Sequence, residues 1–172
     1  MKVSFATVIC LGLLPLLLTP VLAHADQQYV IPLLGGRWAI YTITVKIPAE
    51  PVWAHDAVVD ALGIWNQAQV WFESTYFPQA ATKSYQFTVS NSGQVTVAFQ
   101  EIYDPNDSFT GLTKLTEGSG NRYTAAKVKI VLVDSIGFNR VGSEVTSIAA
   151  HEFGHVLGLD HPKININLIY PN

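Results

Sequence analysis

Apolar and polar positions alternate along several stretches of this chain, and along two others they recur at the three-to-four-residue spacing of a helix. Residues 38–47 (WAIYTITVKI) are β-branched and aromatic with partial alternation, which predicts a first strand. Pro48 and Pro51 punctuate the turn that follows and suit a helix start. Ala54, Val58, Ala61, Leu62 and Trp65 then fall in one stripe flanked by Asp56, Asp60 and Gln67. That spacing predicts a helix lying against the sheet, with Trp65 as its largest anchor.

Residues 85–90 (YQFTVS) and 95–100 (VTVAFQ) read as two more strands, joined by Asn91-Ser92-Gly93-Gln94. The local signal is a hairpin. Residues 111–116 suit a short edge strand, followed by a loop over 117–121. In residues 126–134 (AKVKIVLVD), Lys127 and Lys129 alternate with Val128 and Ile130 before the run turns fully apolar, as a strand entering the core should. Ser143 is the expected N-cap of a final helix with Glu144 in its first turn. Val145, Ala149, Phe153 and Val156 form that helix's buried stripe. Strands and helices in this order predict one α+β domain, a five-stranded twisted sheet with two long helices.

The stripe gains its chemistry from residues 151–161, HEFGHVLGLDH. His151 and His155, four apart, share one helical face, so both imidazoles can reach one metal ion. Gly158 stands where the helix must stop in a conformation with φ > 0, after which the chain can swing His161 back as a third ligand. Three neutral imidazoles leave a tetrahedral Zn²⁺ one open position. Glu152 projects about 80° from the direction His151 and His155 share, better placed to address a water on the metal than to ligate it. The pattern HExxH alone arises by chance in roughly one chain in two hundred of this length, and with Gly158 and His161 added in about one in 10⁵.

These residues resemble the HExxHxxGxxH signature of the metzincin zinc endopeptidases. Within that clan the chain is most similar to the matrixins, the matrix metalloproteinase family, whose pattern runs HEFGHxLGLxH and reaches a Met-Tyr-Pro turn. Here Ile169 stands at the place of that methionine, with Tyr170 and Pro171 after it. The resemblance implies a zincin-like fold that places strands 85–90 and 95–100 in a mixed sheet, against the local hairpin signal, and the sequence leaves their orientation open. A short C-terminal subdomain follows the active-site helix. It implies peptide hydrolysis with Glu152 as general base and His151, His155 and His161 on zinc, and a substrate peptide bound extended along the edge strand at 111–116. It also implies a calcium-holding loop, for which Asp104 and Asp107 are the candidates beside their ordinary reading as turn formers. Because the sequence stops at Asn172, the expectation is an open wall on the specificity pocket.

Composition narrows the setting. Net charge −3 carries no nucleic-acid or polyanion balance. Residues 1–25 hold one basic side chain, Lys2, an uncharged apolar run, and Ala23-His24-Ala25, the pattern of a secretory signal peptide with an A-x-A cleavage site. The other reading is an uncleaved membrane anchor. Cleavage leaves residues 26–172 as a secreted catalytic domain. The single cysteine, Cys10, goes with the signal. The expectation is therefore a mature protein without disulfides and without the cysteine that holds many matrixins latent. A different class stays open beside the enzyme: a secreted binding module that keeps zinc for structure. Glu152 speaks against it, because a structural site needs no general base.

Overall fold

The computed structural model describes residues 33–76, 84–106 and 109–161, and in it the first predicted strand divides in two. β1 (Arg37–Trp38) and β2 (Thr42–Lys46) are separated by a bend at residues 39–41. The cause is Trp38. Its indole N–H donates to the Val156 carbonyl at 2.7 Å and its ring meets the edge of Tyr123, with ring centroids 6.1 Å apart. Burying that side chain draws β1 toward the start of a different strand, and the chain bends, leaving Ile40 and Tyr41 exposed, before β2 begins.

The remaining elements are α1 (Val52–Tyr76), β3 (Gln86–Val89), β4 (Val95–Gln100), β5 (Gly111–Glu117), β6 (Arg122–Val131) and α2 (Gly142–Val156). The sheet has six strands instead of the expected five. It runs β3-β2-β4-β6-β5, with β1 alongside the first residues of β6, and every pairing is parallel except β5 with β6. The mixed sheet implied by the matrixin resemblance is thus the one observed.

The hairpin reading of residues 85–100 is corrected. β3 and β4 do not pair with each other; they flank β2 on opposite sides, and Val45 is in register with both Val89 and Val95. A five-residue link suffices because β3 ends where β4 begins, so the chain only steps across β2 while keeping its direction. Gly93 makes the step possible. A Cβ there would lie 2.6 Å from the Lys46 amide nitrogen and 2.7 Å from the Thr44 carbonyl oxygen. The glycine is needed for close approach of two backbones, the use that a local turn reading overlooks.

Both helices cover one face of the sheet. Inward-facing Ile43, Val45, Phe87, Val95, Val97, Val128 and Ile130 are buried with Ala54, Val58, Ala61 and Leu62 of α1 and the expected stripe Val145, Ala149, Phe153 and Val156 of α2. Phe87 and Phe153 meet edge to face at 5.1 Å. Trp65 anchors on the other helix: its indole donates to the Ala150 carbonyl at 2.7 Å, and a Cβ at Gly154 would sit 3.2 Å from its ring. The start of α2 also differs from expectation. The helix begins at Gly142 after Val141, and the Glu144 carboxylate accepts the Val141 N–H at 3.0 Å, so Ser143 lies inside the first turn.

Candidate metal centre

α2 carries His151 and His155 on its last two turns, and the way it ends brings back His161. Gly158 has φ +92°, its N–H donates to the His155 carbonyl at 2.9 Å, and the Leu159 N–H donates to Gly154 at 3.0 Å. A side chain in that backbone conformation is strained, which explains the glycine. The turn is held from outside by the Leu34 N–H, which donates to the Gly158 carbonyl at 2.8 Å, and by a bridge between Leu33 and Leu159.

The three imidazoles converge. The Nε2 atoms of His151 and His155 lie 3.1 Å apart, as do those of His151 and His161, and all three rings offer a ligand atom within 4.8 Å of the others. Nitrogens in a tetrahedral zinc shell at about 2.05 Å from the ion stand roughly 3.3 Å apart, so this spacing suits zinc. The His155 Nδ1–H donates to the Leu159 carbonyl at 2.7 Å, which fixes the tautomer and leaves the Nε2 lone pair facing inward. Asp160 accepts the His161 backbone N–H at 2.8 Å, and its carboxylate stands 3.9 Å from His161 Nδ1. It therefore positions the backbone of the third histidine. Desolvation at the cleft wall holds the His151 pKa below the ordinary histidine value; charge on His155 and His161 adds to this and Glu152 opposes it. The neutral, ligating form is the favoured one.

Glu152 lines the same cleft as the three histidines and is only 4% exposed. Two residues of β5 hold it there, and sequence reasoning found neither. The Thr113 hydroxyl donates to Glu152 Oε2 at 2.6 Å, and Gly111 leaves the space its carboxyl needs: a Cβ on Gly111 would fall 2.6 Å from Oε1. No local pattern in residues 111–116 marks these positions. An open cleft of about 560 Å³ runs between the histidines and β5, lined among others by Thr110, Leu112 and Leu115.

Other candidates fall elsewhere. The Asp104 carboxylate accepts the Asn106 backbone and side-chain N–H groups, both at 2.9 Å, as an Asx turn does. Asp107, the expected signal peptide at residues 1–25 and the residues Ile169, Tyr170 and Pro171 of the expected turn lie outside the described residues.

Comparison with known proteins returns one family and two relatives. A sequence profile of the matrixins matches residues 37–172. Stromelysin-3 of Xenopus laevis is 28% identical over 151 residues, and karilysin of Tannerella forsythia is 23% identical over 152. Each alignment covers 85% of this chain and 30% of the relative, so the chain spans less than a third of either protein's length.

Proposed function

The chain belongs to the matrixin family, and on that premise we propose that it is a zinc-dependent metalloendopeptidase whose domain, residues 26–172, is exported behind the signal peptide at residues 1–25. The observation that carries this reading is the convergence of three imidazoles beside a buried carboxylate at the wall of an open cleft. His151, His155 and His161 would hold the ion. When bound, zinc supplies Lewis acidity, which acidifies water and polarises a carbonyl. The chain's own contribution is proton handling and placement. The Glu152 carboxylate takes the proton of the attacking water and then delivers it to the nitrogen of the leaving amine, a transfer that contributes typically 10²–10⁴-fold. Thr113 and Gly111 hold that carboxylate in place, and burial of its stem limits the conformers it can reach.

β5 is an edge strand, bonded to β6 on one side and lining the cleft on the other. An extended substrate peptide would add to its free edge by main-chain hydrogen bonds, a mode that tolerates varied sequences. Export rests on Lys2, the apolar run and Ala23-His24-Ala25; no helix among the described residues is long and apolar enough to cross a membrane. Calcium at the Asp104–Asp107 loop rests on the resemblance alone, and restoration of lost thermal stability by added calcium would support it.

The test uses the purified protein with denatured protein as substrate. Hydrolysis should stop with a chelator and return with zinc, and Glu152→Ala should keep stoichiometric zinc while losing roughly 10²–10⁴-fold in turnover. Turnover that survives chelation would sink the proposal, and turnover that survives Glu152→Ala would remove that residue from its role. A binding module that only stores zinc would have no use for a buried carboxylate held beside the ligands.

A further inference from the structure

The six strands divide the chain's charge very unevenly. They contain Arg37, Lys46, Lys114, Arg122, Lys127 and Lys129, six of the ten Lys and Arg, against a single acidic residue of thirteen, Glu117 at the end of β5 beyond the register shift. Four of these cations lie together on the face that the helices leave uncovered. Lys46 is in register with Thr96, Thr96 with Lys127, and Lys127 with Lys114, so three lysines share one row across four strands. Lys129 stands two residues further along β6, its Nζ 5.0 Å from the centroid of the Phe109 ring. Like charges directly opposite on neighbouring strands destabilise a sheet. Lys114 opposite Lys127 is such a pair, and among the described residues neither has an acidic partner within ion-pair distance.

This face joins the cleft at the histidines. A second cleft of about 440 Å³ is lined by Phe99, Phe109, Leu112, Lys114, Lys127 and Lys129, and Phe109 and Leu112 also line the first. A peptide added to β5 would point alternate side chains toward the histidines and over the outer face, beside Lys114, with Lys127 about 4.8 Å further on. Resting on the endopeptidase reading, we propose that the outer face of β5 and β6 is a substrate-binding surface that selects polypeptides with acidic side chains at alternate positions. The net charge of −3 conceals the surface because twelve of the thirteen acidic residues lie outside the strands. Lysines carry point charges without the planar fork that suits phosphate, and the apolar side chains of Phe109 and Leu112 beside them suit a polypeptide with mixed side chains.

The experiment compares a fluorescent twelve-residue peptide bearing Glu at alternate positions with its Gln counterpart. Binding is read by anisotropy on zinc-loaded Glu152→Ala protein at low salt. The Glu peptide should bind about tenfold more tightly, the sum of a few exposed charge pairs, and lose most of that margin at high salt. Lys114→Gln/Lys127→Gln/Lys129→Gln should abolish the margin, Lys127→Gln alone should reduce it, and the corresponding triple Arg variant should retain it. Equal binding of the two peptides, a margin that survives the triple Gln variant, or displacement by a sulfated polysaccharide at far lower concentration than by the peptide would each overturn the proposal. On unsubstituted protein the same margin should enter through KM. If neither peptide is cleaved, the endopeptidase reading fails while anisotropy still decides the lysine surface; if both are cleaved with equal KM, the surface fails and the endopeptidase reading stands.

Discussion

The end of α2 and the strand β5 face one another across the cleft, and they meet its demands in opposite ways. α2 is packed on several sides: Trp38 donates to its Val156 carbonyl, Trp65 to its Ala150 carbonyl, and the Leu33–Leu34 lead is bonded to the turn after it. Rings mounted there inherit their geometry from the core. β5 is bonded along one edge only and most of its residues are partly or fully exposed, yet it supplies both groups that confine Glu152. On the proposed reading, metal-holding geometry comes from burial, whereas carboxylate placement depends on a strand that must stay open to substrate. Loss of a histidine of α2 should remove the metal; a mutation in β5 should leave it and alter turnover.

The largest effect should come from His155→Ala. The change deletes one of the three proposed ligands and frees the Leu159 carbonyl from its donor. Zinc affinity should fall by more than the roughly 10- to 100-fold typical of losing an outer partner, and hydrolysis should fall with it. Metal analysis after dialysis checks this. Unchanged zinc content would mean that the metal-holding role does not reside in α2.

Next in size is Gly111→Ala. Its Cβ would overlap the Glu152 carboxyl, which has little room to retreat at 4% exposure. The expected cost is about 1–3 kcal/mol in stability and a large loss of turnover with zinc retained. Metal content and kcat measured on the same sample separate this from the histidine variant. A fully active Gly111→Ala protein would show that β5 does not confine the carboxylate.

How the two regions read in sequence follows from the same contrast. His151, Glu152, His155, Gly158 and His161 act at fixed offsets within one helix and its cap, so their relation is set by local geometry and is legible without a fold. Thr113 and Glu152 are 39 residues apart and meet only because β5 runs antiparallel to β6 beside α2. Nothing within residues 111–116 encodes that meeting. The two strands within 85–100 are where the sequence places them, and only their hairpin pairing misled, for a related reason: Gly93 reads as a turn residue locally, and its closeness to Lys46 and Thr44 exists only once β2 is in place. Trp38 likewise split a predicted strand through a partner 118 residues away.

Thr113→Val tests the subtler half of the β5 claim. The hydroxyl has one proton, and the nearer acceptor is Glu152 Oε2 at 2.6 Å, with the Glu152 carbonyl at 3.1 Å. Valine keeps the shape and removes the donor. Hydrogen bonds to charged groups contribute about 1.5–3 kcal/mol, so kcat should fall on the order of tenfold while KM and zinc content hold. Thr113→Ser should restore most of it. If serine failed to rescue, the methyl group and strand packing would be the operative features instead of the hydroxyl.

The smallest effect should follow Trp65→Phe, which probes whether support of α2 by α1 serves the fold alone. The indole N–H donates to the Ala150 carbonyl at 2.7 Å, one residue before His151, and its ring lies against Gly154, one residue before His155. Phenylalanine fills much of the same space but leaves that carbonyl without its side-chain donor. An intramolecular hydrogen bond of this kind contributes about 1 kcal/mol, or roughly 3 °C in Tm for a domain of this size. Because the helix is also held by Trp38 at its end and by the buried stripe Val145, Ala149, Phe153 and Val156, the histidines should keep their positions. Zinc content and kcat should therefore stay level while Tm drops. A fall in kcat at constant zinc would mean that small displacements of α2 reach the reacting groups, and the division of labour between a rigid helix and an open strand would have to be abandoned.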